Sequence, residues 1–85
     1  MKNPRLMTAT GIPEAMSNLC YHGGSKVMDI YDAVEDSSTA QELVQNLNRL
    51  NIFRPFRLDR ETDKYVRLKV EDCLGNASYL TADKE

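Results

Sequence analysis

No apolar stretch in this chain exceeds three residues, the longest being Leu19-Cys20-Tyr21. A transmembrane helix needs about 20 consecutive apolar residues, so no segment reads as a membrane span. The opening MKNPRLMTAT carries no apolar core of a secretory signal, which leads to the expectation of a cytoplasmic protein. Cysteine is scarce. Cys20 and Cys73 are too few for a disulfide framework and lack metal-ligand spacing. One bridge between them is geometrically open, but a reducing compartment disfavours it, and two small buried hydrophobes are the simpler reading. Histidine occurs once, at His22. Without a serine–histidine–acid spacing or a paired-acid site, the chain reads as a non-enzyme with no cofactor and no metal. A Cys20–His22–Cys73 sensor site has no established spacing behind it. His22 more simply helps to end a helix, where its charge suits the C-terminal dipole. Repeats and low-complexity segments are absent.

What is present is a single small domain. At 85 residues, 41% hydrophobic and 28% charged, the composition is that of a globular chain with a small core. The net charge is −2 and the pI about 5.3, against a promiscuous nucleic-acid binder. The distribution says more than the sum. From Lys26 to Asn48 one base stands against five acids; from Arg49 to Lys69 seven bases stand against three acids. An acidic segment is followed by a basic one.

Periodicity divides the chain into an N-terminal arm (1–10), a folded domain (11–70) and a C-terminal extension (71–85). Asn3-Pro4 is a turn signal in the arm. A first helix is expected from Pro13, with Ile12, Met16, Leu19 and Cys20 on one face and His22-Gly23-Gly24 closing it. Ser25 is a good N-cap for a second helix, whose apolar face is Val27, Ile30, Tyr31 and Val34. Tyr31 reads as core. Ser38 with Gln41, or Thr39 with Glu42, forms a capping box for a third helix. Its stripe is Ala40, Leu43, Val44, Leu47 and Leu50, with Asn51 as the cap that ends it. Pro55 then excludes a helix. Residues 52–58 read as extended, 59–64 as a polar turn, and Tyr65 to Val70 alternate strictly, which together make a hairpin. The extension holds a turn at Gly75-Asn76 and reads as a third strand, a short helix or a dimer arm.

The stretch IYDAVEDSSTAQELVQNLNRLNIFRPFRLDRETDKYVRLKV resembles the winged helix-turn-helix of the broad ArsR and MarR type. SKVMDIYDAV matches its second helix, STAQELVQNLNRLN its recognition helix, and FRPFRLDRETDKYVRLKV its wing. The resemblance implies an α+β fold, a three-helix winged helix-turn-helix with a C-terminal β-hairpin wing. It also implies a small sequence-specific DNA-binding transcriptional regulator that acts on double-stranded DNA as a homodimer. Asn51 stands where those families usually place glycine, and no long dimerisation helices follow.

In such a protein the free face of the third helix enters the major groove, where amides bond adenine and arginine bonds guanine. That face is centred on Glu42, Gln45 and Arg49 and flanked by Gln41, Asn46 and Asn48. Ser38 and Thr39 at the helix start would meet a phosphate. Arg57, Arg60, Lys64 and Arg67 on the wing would hold the backbone or minor groove. The same features also describe a solvated helix face and a hairpin whose arginines pair with acids across strands. A second function therefore stays open: a protein-interaction module that binds no DNA and docks a partner through the acidic second helix or the 52–58 edge.

Overall fold

The structure, a computed structural model, describes residues 1–14, 27–50, 54–71 and 75–85. Its elements in chain order are β1 (Lys2–Thr8), β2 (Pro13–Glu14), α1 (Val27–Glu35), α2 (Ala40–Arg49), β3 (Arg57–Glu61), β4 (Tyr65–Glu71) and β5 (Ala77–Asp83). The strands form one antiparallel sheet in the order β2-β1-β5-β4-β3. Both helices lie on one face of it. The described residues therefore form a two-layer α+β fold and not a three-helix winged helix-turn-helix.

Alternation builds the core. Val66, Leu68 and Val70 of β4, Ser78, Leu80 and Ala82 of β5 and Leu6 of β1 all point to the helix side. Ile30, Ala33 and Val34 of α1 and Ala40, Leu43 and Leu47 of α2 close over them, joined by Phe56. Fully burying one such leucine or valine contributes about 1.5–3 kcal/mol. Tyr31, expected in this core, is 37% exposed at the edge of α1.

α1 and α2 are the expected second and third helices, the latter trimmed to residues 40–49. Thr39 is the N-cap, its hydroxyl accepting from the Glu42 N–H at 3.1 Å. Leu50, not Asn51, is the C-cap; Asn51 lies outside the described residues, as does Ser25. Between the helices Ser37 is buried, donating to the Ala33 carbonyl at 2.6 Å and accepting from the Asn46 amide at 2.9 Å. Asn46, expected to face DNA, is thus spent on the inter-helix turn.

The remaining differences have local causes. The expected N-terminal arm is strand β1, paired with β5 through Leu6↔Leu80 and Met7↔Tyr79. The Asn3-Pro4 signal marks a bulge in that strand: Asn3 sits at φ 51° and the register shifts between Lys2 and Arg5. Pro13 begins β2 instead of a helix, across a turn in which Gly11 adopts φ 86° and donates to the Thr8 carbonyl at 2.9 Å. The rest of the expected first helix lies outside the described residues. The hairpin forms, although residues 59–61, expected in its turn, belong to β3. The C-terminal extension is β5, seated between β1 and β4, and Gly75 at φ 85° lies in the turn before it. No helix among the described residues is long and apolar enough to cross a membrane.

Candidate nucleic-acid interface

The face of the sheet opposite the helices is uncovered by any described element. Directly paired residues share a face, so the register gives its rows. One row runs Met7, Tyr79, Lys69, Arg57; the next Arg5, Thr81, Arg67, Arg60; the third Lys2, Asp83, Tyr65. A bulge in β3 sets both Asp59 and Arg60 opposite Arg67. Rows cross strands spaced about 4.8 Å apart, so residues of one row stand side by side. The face thus carries Lys2, Arg5, Arg57, Arg60, Arg67 and Lys69 around two half-buried tyrosines, Tyr65 and Tyr79.

Some of these cations are tied down and some are not. Arg5 grips Asp83 with both terminal nitrogens, at 2.9 and 2.8 Å, and the Asn3 amide adds a bond to the same carboxylate at 3.3 Å. The Arg5 hydrogen bonds hold the Asp83 carboxyl below the usual carboxylate range, and Asp83 in turn raises the Arg5 guanidinium. Arg67 donates to Asp59 at 2.9 Å and lies 5.4 Å from the centre of the Tyr79 ring, a cation–π distance. Among the described residues Lys2, Arg57, Arg60 and Lys69 make no ion pair. Lys2 stands opposite Asp83 and helps to hold that carboxyl low, so among the described residues Arg57, Arg60 and Lys69 are the face's uncommitted charges, beside a tyrosine that already lies against an arginine.

The helix layer has the opposite sign. Asp29, Asp32, Glu35, Asp36 and Glu42 face Arg49 alone among the charged residues of 27–50. Among the described residues the acids of that segment lie in the helix layer, while Arg57, Arg60, Arg67 and Lys69 of the basic segment lie on the other face of the sheet.

The residues expected to bind DNA are therefore split. Gln41, Gln45 and Arg49 are exposed on α2, on the helix side. Ser38 is exposed in the turn before α2, and the Thr39 hydroxyl is used as the cap. Arg57, Arg60 and Arg67 lie on the far side, behind the sheet. Lys64 sits in the β3–β4 turn, where its backbone N–H donates to the Thr62 hydroxyl at 3.2 Å and its carbonyl accepts from Lys84 at 2.8 Å. A duplex groove cannot take α2 and these hairpin arginines at once. Asn48 acts structurally: its side chain accepts from the Phe56 N–H at 2.7 Å and donates to the Phe56 carbonyl at 3.3 Å.

Sequence reasoning missed Lys2, Arg5, Tyr65, Lys69 and Tyr79. For Tyr65 and Lys69 the signal was present, since they alternate with Val66, Leu68 and Val70. For Lys2, Arg5 and Tyr79 it was not, because their strands pair across most of the chain length. Among the described residues no three His, Cys, Asp or Glu side chains gather as metal ligands. Cys20, His22 and Cys73 lie outside those residues. No family model, no curated protein and no solved structure matches the chain.

Proposed function

We propose that the open sheet face binds single-stranded nucleic acid. The observation that carries this reading is the row Met7–Tyr79–Lys69–Arg57 beside Arg67, a stacking surface flanked by unpaired cations. Unstacked bases lie on aromatic faces and guanidinium planes, and a positive groove follows the phosphates. A flat sheet offers bases a platform; it does not fit a duplex groove as a helix does. The nucleic-acid class expected from the basic hairpin is kept, while strand state and binding face change.

The test is binding of a labelled 8-nucleotide single strand and of a duplex across a salt series. Single-strand affinity is expected to fall with salt at a log–log slope near −2, roughly three phosphates neutralised at about −0.7 each. Tyr79→Ala is expected to cost about 1–3 kcal/mol of binding, and Tyr79→Phe much less. A wild type that binds the duplex more tightly than the strand contradicts the reading.

A second reading, a protein-interaction module, has one observation of its own. Leu58 is 52% exposed beside Ala40, Val44, the stems of Gln41 and Gln45 and the Glu61 side chain, in a largely apolar groove between α2 and the edge strand β3. The labelled strand separates the two: the platform binds it and loses it in Tyr79→Ala, and a docking module that works through the α2–β3 groove does not bind it.

A further inference from the structure

A cavity of about 260 Å³ opens at one end of the β3–β4 pair, lined by Arg54, Pro55, Arg57, Lys69, Val70 and Glu71. Three of its six lining residues are cations. Arg54 is oriented by Glu71, whose carboxylate accepts from its guanidinium at 2.9 Å. Arg57 and Lys69 stand directly opposite each other across the strands and have no ion-pair partner among the described residues. Among the described residues the lining carries three cations and one acid, a surplus of two positive charges.

We infer that this cavity is a phosphate-monoester site that seats the phosphorylated end of a strand lying on the open face. Two surplus charges match a terminal phosphate, which carries about −1.5 to −2 at neutral pH, better than an internal diester with its single charge. Two guanidinium groups and an ammonium supply donors to three terminal oxygens. Placement agrees with chemistry. Tyr79 shares a row with Lys69 and Arg57, one and two strand spacings away, about 5 and about 10 Å. A phosphate in the cavity therefore leaves the terminal base within reach of the Tyr79 ring. The strand-end assignment rests on the platform reading; the monoester site does not.

The experiment follows backbone amide resonances of the full chain during titration with inorganic phosphate, against chloride at matched ionic strength. Saturable shifts confined to Arg54, Arg57, Lys69 and Glu71 are expected, and they persist in Tyr79→Ala. Absence of such shifts overturns the site. Binding of an 8-nucleotide strand with a 5′-phosphate, with a 3′-phosphate and with neither is then compared. One phosphorylated form is expected to bind about tenfold tighter than the unphosphorylated strand, a preference lost in Arg54→Gln and in Lys69→Gln. Equal binding of all three strands overturns the strand-end assignment. A free nucleoside monophosphate that binds as tightly as the phosphorylated strand does the same, in favour of a mononucleotide ligand. Phosphate shifts without binding of any strand uphold the monoester site and overturn the platform.

Discussion

At the scale of single residues, Asp83 shows how a charge on the open face is committed. Its carboxylate takes two hydrogen bonds from Arg5 and one from Asn3, which holds its pKa below that of an ordinary aspartate. A group whose folded pKa is depressed adds stability above its unfolded value, near pH ~3.9, and loses it as pH falls through the lowered folded value. The pair is partly exposed, so its contribution is about 0.2–1 kcal/mol. Asp83→Asn is expected to destabilise the protein by that amount at pH 7. The gap from wild type should narrow as pH falls below the ordinary aspartate value and on through the lowered one, read by urea unfolding at pH 7 and across the acid range. A gap that persists undiminished in acid would show that packing, and not charge, accounts for it.

At the scale of elements, the polar side of α2 serves the fold more than a ligand. Asn46 holds Ser37 in the inter-helix turn, and Asn48 holds the backbone of Phe56 as the chain approaches β3. Asn48→Ala removes two hydrogen bonds and is expected to cost about 1–2 kcal/mol of stability while leaving strand affinity unchanged. Chemical denaturation and a binding assay on the same sample check both halves.

This element also shows what was legible beforehand. The stripe Ala40, Leu43, Val44, Leu47 and Leu50 gave α2 its position, and the alternation at Tyr65 to Val70 gave β4 its inward face, because both patterns are local. The stripe did not reveal what α2 packs against. Strand β1 contributes only Leu6 to the core within a segment broken by Asn3-Pro4, and the core positions of β5 are Ser78, Leu80 and Ala82. Neither has the bulky branched content that marks a strand. Their pairing spans nearly the whole chain, and no window of sequence contains it. With those strands unseen, the hairpin resembled a wing beside a recognition helix. With them in place, the same hairpin is part of a sheet whose back is basic.

At the scale of the whole molecule, the central feature is the separation of charge across two layers. A net charge of −2 conceals, among the described residues, an acidic helix layer and a sheet face holding six cations, with Asp59, Asp83 and Glu71 each bound to an arginine. Such a field orients an approaching polyanion toward the sheet and away from the helices. The most direct test is the footprint of a single-stranded oligonucleotide on the protein's backbone amide resonances at low salt. Shifts are expected along Met7, Arg57, Arg67, Lys69 and Tyr79, with Gln41, Gln45 and Arg49 of α2 unmoved. Shifts centred on those α2 residues, with the sheet face silent, would contradict binding at the sheet.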